Sequence, residues 1–469
     1  MTDLATESVR SKCYPRSVSG RFRTAKYALL ALAYLIYYGL PWLPWKRAVG
    51  PDQAVLFDIV GRKYYLFDLV VHPQQIFWLG GFLMIAALLL FFVTGLAGRI
   101  FCGYFCFQTL WTDMFLLIEH WVQGERPARI RLDRQAWNTE KLRKKSLTHA
   151  FWLMVAFWTA LTFTLYWGPA GELLTRFVSG TAPVPMYITT LILTISTYTM
   201  AGFARDQVCT HMCPYSRFQS AMFDRDTKLV AYNRSRGEGD VGRAKASKEY
   251  KTREARQTAG IGDCIDCGYC VQVCPTGIDI RNGLQVQCIH CGLCIDACDN
   301  IMDNLGWARG LIRFSSDTED QGGKVNYFKI KNIGYGVALA AITGILLYSV
   351  FTNSMFETAI NQVRQPLFVT LSDGSIQNSY DVKLANLDQR PLRVALELAG
   401  LDGAEIDTGR FDQIELRGER QVQILAKVRR APESRRLDKV SDFGFVVRDL
   451  DTQRVIAEIP ARFYTPKND

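Results

Sequence analysis

The stretch CIDCGYCVQVCP at residues 264–275 is followed by CIHCGLCIDACD at residues 288–299. Both stretches have four cysteines with the same spacing, C-x2-C-x2-C-x3-C. This spacing is typical of two 4Fe-4S clusters, in which each iron binds one thiolate and the fourth cysteine of a stretch reaches the other cluster. The ligands predicted for the first cluster are Cys264, Cys267, Cys270 and Cys298. Those predicted for the second cluster are Cys288, Cys291, Cys294 and Cys274.

Zinc ribbons and disulfides are the competing interpretations of these cysteines. Paired zinc sites do not need a third C-x2 step, and four disulfides would not persist in a reducing cytosol. Gly268 and Gly292 follow the second cysteine of each stretch. A residue without a side chain there lets backbone amides approach the sulfurs. The pattern therefore favours iron–sulfur clusters.

Apolar segments on both sides of the cysteine stretches predict a polytopic α-helical membrane protein. The chain has 469 residues, enough for two or three domains. Five windows approach the roughly 20 apolar residues that cross a bilayer, and they are 27–43, 76–97, 151–167, 187–203 and 333–351. The predicted organisation is a basic tail at 1–26, a four-helix membrane region at 27–203, a ferredoxin-like domain at 204–330, a fifth helix at 331–352 and a further domain at 360–469.

The distribution of Lys and Arg predicts the orientation, because short basic loops remain in the cytoplasm. The amino-terminal tail carries Arg10, Lys12, Arg16, Arg21, Arg23 and Lys26. The loop at 99–145 carries Arg126, Arg129, Arg131, Arg134, Lys141, Arg143 and Lys144, whereas the segment between residues 168 and 185 carries only Arg176. The signal is weaker at 46–72, where basic and acidic residues mix. Five spans then place the clusters in the cytoplasm and the cysteine-free part after residue 351 outside it.

The net charge of +10 raises the question of nucleic-acid binding. The basic residues lie in segments next to predicted spans, where anionic lipid headgroups attract them. The sequence contains no recognisable DNA- or RNA-binding module. Membrane lipid is therefore the expected partner, and nucleic acid is not.

The segment after residue 360 has the alternation of half-buried strands. The alternating apolar residues are Val382 and Leu384; Val394, Leu396 and Leu398; Val422, Ile424, Ala426 and Val428; and Phe443, Phe445 and Val447. Turn signals such as Ser372-Asp373-Gly374 separate them. About seven strands in roughly 100 residues predict an immunoglobulin-like β-sandwich that acts in docking or scaffolding.

Four further cysteines form two pairs, Cys102 with Cys106 and Cys209 with Cys213, that close the second and fourth predicted spans. A spacing of i, i+4 places two thiols on one helix face, so two helix ends present four soft sulfurs to one metal ion. Thiolates favour Cu(I), with zinc as a rival. His211, Met212 and Met114 are candidate additional ligands. The structural alternative is that these cysteines only pack the helix ends.

The histidines argue against haem. The chain has five, His72, His120, His149, His211 and His290, and no C-x2-C-H motif for covalent attachment. His290 lies between cysteines of the second stretch, where a tuning or exposed role is expected rather than ligation. Cys13 is the single cysteine of the amino-terminal tail, and no sequence pattern indicates a function for it.

Three motifs together resemble one family. They are CGYFC at 102–106 followed by QTLWTD at 108–113, CTHMCPY at 209–215 followed by RFQ at 217–219, and CIDACD at 294–299 followed by IM at 301–302. Over nearly the whole chain they look like the cytochrome c oxidase accessory protein family, known as FixG, RdxA or CcoG. The missing proline after Cys298 departs from soluble bacterial ferredoxins but is similar to this family.

The resemblance implies a bacterial inner-membrane protein with five spans, a cytoplasmic two-cluster domain and a periplasmic immunoglobulin-like domain. It also implies a role in assembling cbb-type oxidases through reduction of Cu(II) to Cu(I). The leading hypothesis is therefore a membrane-bound cupric reductase and oxidase assembly factor. Its eight cluster cysteines carry electrons, and Cys102, Cys106, Cys209 and Cys213 bind or face copper. A copper chaperone or exporter, oxidase subunits and a second copy of the chain are the expected partners.

Two alternatives remain open from the sequence. One is an electron-relay subunit of a quinol dehydrogenase, with a quinone pocket among Trp42, Trp78 and Trp111. The other is a non-enzymatic assembly scaffold, in which the sandwich recruits oxidase subunits and the clusters stabilise the fold or sense redox state. The electron donor is not identified by any motif.

Overall fold

The computed structural model describes residues 12–47, 49–247, 249–250, 252–352, 356–388, 390–409, 413–431 and 439–466. Arg10 of the predicted basic tail lies outside the described residues. The chain divides into two compact units. The first comprises the described residues within 1–44 and 53–346, and the second comprises those within 45–52 and 347–469.

The first half of the chain is helical apart from one small sheet. Its helices are α1 (Arg21–Gly39), α2 (Ile76–Ala97), α3 (Ile100–Tyr104), α4 (Phe107–Gln123), α5 (Arg126–Arg134), α6 (Thr139–Leu165), α7 (Ala170–Val178) and α8 (Val184–Thr199). Strands β1 (Val55–Asp58), β2 (Lys63–Leu66) and β3 (Leu69–Val71) form an antiparallel sheet between α1 and α2.

Among the described residues, five helices are long and apolar enough to cross a membrane, which confirms the predicted number. They are Pro73–Ala97, Ile100–Gln123, Thr139–Leu165, Val184–Met212 and Ile330–Thr352. One of the five differs from the sequence prediction. The predicted span at 27–43 forms α1 and a 3-10 turn but is not in this set, whereas Ile100–Gln123 was expected to begin a cytoplasmic loop.

Buried ion pairs explain why the sequence pattern missed α4. Asp113 is 2.7 Å from Lys26 of α1, and Glu119 is 2.7 Å from Arg205. Both carboxylates are buried and neutralised by residues remote in the chain. Their charges lower the apparent hydrophobicity of the segment, although they are paired inside the protein.

The segment after α8 joins the membrane helices to the cysteine stretches. It contains α9 (Arg205–Gln207), α10 (Pro214–Ala221), β4 (Leu229–Tyr232), α11 (Arg234–Glu238), α12 (Arg253–Thr258), α13 (Tyr269–Gln272), α14 (Leu293–Leu305), β5 (Ile312–Ser315), α15 (Asp317–Asp320) and α16 (Ile330–Thr352). Strands β4 and β5 pair antiparallel. Their buried residues Val230 and Ile312 pack with Ile278, Ile280 and Ile295 around the cysteines.

The described part of the amino-terminal tail is ordered against the cysteine stretches, which the sequence did not predict. The backbone amide of Arg16 donates to the Gln272 carbonyl over 2.8 Å. The carboxylate of Asp296 accepts hydrogen bonds from the backbone amides of Phe22 and Arg23. These contacts attach the start of α1 to the start of α14.

The second unit contains the predicted β-sandwich. Its strands are β6 (Phe356–Gln362), β7 (Val369–Thr370), β8 (Ile376–Asn386), β9 (Leu392–Ala399), β10 (Ala404–Asp407), β11 (Ile414–Leu416), β12 (Gln421–Arg430), β13 (Val440–Asp449) and β14 (Val455–Tyr464). One sheet has the order β10-β12-β8-β6 with β7 paired to β8, and the other has the order β11-β9-β13-β14. Every second residue of β8 is buried. Tyr380 from one sheet contacts Phe445 from the other, with ring centroids 5.1 Å apart.

Candidate metal centre

The predicted cluster ligands line two adjacent cavities. Cys264, Cys267, Cys270 and Cys298 all line one cavity. Cys274, Cys288, Cys291 and Cys294 line the other, where Cys270 also contributes to the wall. The fold thus places the last cysteine of each stretch with the first three cysteines of the other stretch. This grouping is the one expected when two cubes exchange their fourth ligand.

The two cysteine loops have the same backbone conformation. In the first loop, Asp266 and Gly268 have φ values of 51° and 65°. In the second loop, His290 and Gly292 have φ values of 51° and 75°. The two glycines cap α13 and α14 in this left-handed conformation. Turns of this kind direct successive backbone amides toward one side, where they can donate to cluster sulfurs.

The arrangement fits a cube better than a single ion. Among the described residues, no three Cys, His, Asp or Glu side chains converge closely enough to hold one metal ion. Four thiolates bound to one zinc at about 2.3 Å would lie within about 4 Å of one another. The cysteines instead surround a cavity, as they must when each sulfur binds a different iron.

Burial of the thiols also fits metal binding. It raises the pKa of Cys270 and of Cys288 to about 12, so that without a metal these side chains remain protonated. Iron would replace the protons and compensate the thiolate charge inside the protein. When bound, two such clusters supply one-electron transfer.

The residues between α2 and α4 contact the second cysteine loop, defined as residues 288–294. The Tyr104 hydroxyl donates to the Cys291 carbonyl over 2.8 Å. A Cβ placed on Gly103 would lie only 2.7 Å from the Ile289 carbonyl oxygen, so the approach requires glycine. Cys102 packs in the same apolar cluster as Ile289 and Cys291.

Arg99 connects this contact to α10, a role that no sequence pattern indicated. It is buried, and its Nε donates to Gln219 Oε1 over 3.0 Å. Its backbone amide donates to Nδ1 of His290 over 2.9 Å. Burial lowers the pKa of His290 to about 3, so the ring is neutral and accepts this bond. His290 is therefore a buried positioning residue, not an exposed one.

The two C-x3-C pairs do not lie on continuous α-helix faces, contrary to the expectation from i, i+4 spacing. Cys102 belongs to α3, and Cys106 caps the start of α4 after a break. Cys209 lies in a π-helical turn, Val208–Met212, and Cys213 caps α10. Each pair therefore spans a helix break. The reason is local: both second cysteines have extended backbone and start a new helix.

The structure nevertheless brings the two pairs together. The four thiols lie near one another, and we call them the four-thiol group, but no three of them converge closely enough to hold one metal ion in this conformation. The Cys102 thiol donates to Gln219 Oε1 over 3.3 Å. Of the additional ligands considered, Met114 packs in the helix core, His211 lines a separate cavity and Met212 is exposed.

The class of protein follows from three features together: candidate membrane-spanning helices, two cysteine-lined cavities and a β-sandwich. They define a membrane-bound iron–sulfur electron-transfer protein. Residues 204–317 match the family model of a 4Fe-4S dicluster domain, and residues 346–466 match that of the IG-like fold at the C-terminal of FixG. These matches confirm the predicted domain types.

Sequence similarity to known proteins identifies the family to which the chain belongs. The chain is 42% identical to protein RdxA of Cereibacter sphaeroides over 404 residues, which are 84% of this chain and 83% of RdxA. It is 41% identical to protein RdxB of the same organism over 82% of each chain. It is 38% identical to nitrogen fixation protein FixG of Rhizobium meliloti, over 84% of this chain and 80% of FixG. The chain belongs to the FixG/RdxA family, as the sequence motifs predicted.

Proposed function

We propose that this protein reduces Cu(II) to Cu(I) and supplies the reduced ion for assembly of a cbb-type cytochrome c oxidase. The observation that carries the proposal is the contact between the four-thiol group and the second cysteine loop. Cys102 packs in the same apolar cluster as Cys291, and the Tyr104 hydroxyl donates to the Cys291 carbonyl. An electron carried at the second cysteine loop would thus have a short path through packed protein to copper bound at the thiols.

The chemistry of the four-thiol group suits the product of this reaction. Reduction of Cu(II) consumes one electron and gives Cu(I), which prefers soft thiolate ligands. Gln219 accepts from both Cys102 and Arg99 and would hold one thiol in place. The reduced ion would then pass to a copper chaperone or exporter, and the β-sandwich would dock oxidase subunits.

We further propose that the protein lies in the bacterial inner membrane with its cysteine stretches in the cytoplasm and residues 356–466 in the periplasm. The positive charge of the amino-terminal tail and of the 126–145 segment supports this orientation. Protease added to spheroplasts is expected to degrade the β-sandwich while an epitope at the amino terminus survives. Cleavage of the cysteine stretches in intact spheroplasts would contradict this orientation.

The copper site is tested by a variant carrying Cys209→Ser and Cys213→Ser. We expect it to lose bound copper, because two of four soft ligands become hard oxygens, and to retain about eight irons per chain. Iron, sulfide and copper are quantified on anaerobically purified protein. Dithionite-driven copper reduction is measured by reducing the protein with dithionite, removing the excess dithionite because it reduces Cu(II) directly, adding Cu(II), and following Cu(I) formation with a Cu(I)-specific chelator. Cys13→Ser is the matched control, because Cys13 lies outside the four-thiol group. Normal copper binding and reduction by the double variant would refute the assignment.

A further inference from the structure

A cavity of about 700 Å³ lies at the junction of α4, α6 and the end of the α8 span. Its volume is within the range of pockets that bind small organic ligands. Pro275 lines it, immediately after the predicted ligand Cys274. Neither the copper proposal nor the family motifs assign it a role. The tryptophans that the sequence suggested for a quinone pocket, Trp42, Trp78 and Trp111, do not line it.

Flat rings form one side of the cavity. The imidazole of His149 is nearly parallel to the Phe203 ring, at an angle of 14° and a centroid distance of 5.9 Å. Trp152 is edge-on to His149, with centroids 5.1 Å apart. Surfaces of this kind accommodate planar aromatic ligands, which prefer stacked or edge-to-face contacts.

Polar groups lie beside these rings. The Tyr198 hydroxyl is 3.0 Å from Nδ1 of His149 and fixes the orientation of the imidazole. Among the described residues, this contact through Nδ1 is the only hydrogen bond of His149, so Nε2 is not engaged by another protein group. Lys145 also lines the cavity, and its ammonium donates to Gln123 Oε1 over 3.3 Å. The cavity therefore combines a planar apolar wall with hydrogen-bonding groups, as a ring with carbonyl or hydroxyl substituents requires.

The position of the cavity suits a lipid-soluble ligand. Phe203 belongs to the candidate span Val184–Met212, lines the cavity and is 62% exposed, so the cavity reaches the protein surface beside a membrane helix. On its other side, the Cys13 thiol donates to the Cys274 carbonyl over 3.4 Å. The cavity thus extends from the exposed Phe203 on a candidate span toward the backbone of a predicted cluster ligand.

We propose that this cavity binds the head group of a quinol, which is the electron donor of the protein, and that His149 binds one quinol oxygen through Nε2. Oxidation of one quinol to the quinone releases two electrons and two protons. The two electrons match the two one-electron iron–sulfur acceptors, one proton passes to Nε2 of His149, and the other passes to water at the cavity mouth. This inference rests on the proposed electron-transfer function but not on copper being the acceptor.

Binding is tested on the iron-loaded full chain in detergent, by calorimetric titration with decylubiquinone and with menadione. His149→Leu removes the hydrogen-bonding nitrogen, and Phe203→Ala removes the stacked wall at an exposed position. We expect each variant to raise the dissociation constant at least about tenfold, because each loses one hydrogen bond or ring contact in a desolvated site. The controls are His120→Leu and Phe151→Ala, two comparable changes on α4 and α6 outside the cavity.

A second measurement separates this proposal from the copper proposal. Anaerobic decylubiquinol or menadiol should bleach the cluster absorbance of the wild type and of both controls, but not of His149→Leu. Copper reduction driven by dithionite should be unchanged in His149→Leu, because dithionite bypasses the cavity. Three results would each overturn the quinol site. They are no quinone binding to the wild type, saturable binding that His149→Leu leaves intact, and occupation of the cavity by anionic phospholipid that quinones do not displace. If the wild type shows no dithionite-driven copper reduction, the copper proposal alone is overturned.

Discussion

Replacing Cys274 with alanine is expected to remove the cluster whose other ligands lie in the 288–299 stretch, and to lower the iron content from about eight to about four per chain. Cys274 belongs by sequence to the 264–275 stretch, but it lines the cavity of the second group. Alanine provides no sulfur or oxygen to complete the second site. The remaining cluster should therefore be the one bound by Cys264, Cys267, Cys270 and Cys298.

EPR spectra of the dithionite-reduced variants identify which cluster survives. Cys274→Ala should leave the same spectrum as Cys288→Ala, and Cys298→Ala should leave the same spectrum as Cys264→Ala. Cys13→Ala is the control next to the site. Its thiol donates to the Cys274 carbonyl but lines neither cysteine cavity, so replacing it should not affect the iron content. If Cys274→Ala instead leaves the spectrum of Cys264→Ala, each stretch holds its own cube and the exchange of fourth ligands is wrong.

The parts of this fold that the sequence predicted depend on short-range periodicity. In the β-sandwich, the alternation of Val382 and Leu384 corresponds to the buried face of β8, since neighbouring residues of a strand point to opposite sides. The cysteine spacing similarly encodes a loop that turns around one cluster. Each pattern lies within about a dozen residues, and the conformation that it requires is local.

The parts that the sequence did not predict depend on partners that are distant along the chain. Asp113 is paired with Lys26, and Glu119 with both Arg205 and Arg129, so their burial inside the protein cannot be inferred from local hydrophobicity. The helix breaks at Cys106 and Cys213 were likewise hidden, because spacing alone cannot distinguish a continuous helix from two helices that meet. These features depend on which segments lie next to one another in the fold, and residue type alone does not reveal that.

Gly103 provides the decisive test of the electron path, because its lack of a side chain permits the contact between the four-thiol group and the second cysteine loop. In Gly103→Ala, the new Cβ would lie 2.7 Å from the Ile289 carbonyl oxygen and 3.1 Å from Cys291 Cα. Both neighbours are backbone atoms, so α3 or the loop must shift by several tenths of an ångström. We expect dithionite-driven reduction of Cu(II) to slow by about tenfold, since small displacements of reacting groups have large effects on rate.

Iron content separates a displaced path from a damaged cluster. Gly103→Ala should retain about eight irons per chain and unchanged copper binding, because no cluster ligand or copper thiol is replaced. Gly80→Ala on α2 is the matched control, since a Cβ at that position meets nothing within 4 Å and should leave the rate unchanged. Tyr104→Phe should give a smaller decrease, because it removes one hydrogen bond and keeps the close approach of the backbones. A Gly103→Ala protein that reduces copper at the rate of Gly80→Ala would mean that electrons reach copper by a route that does not cross this contact.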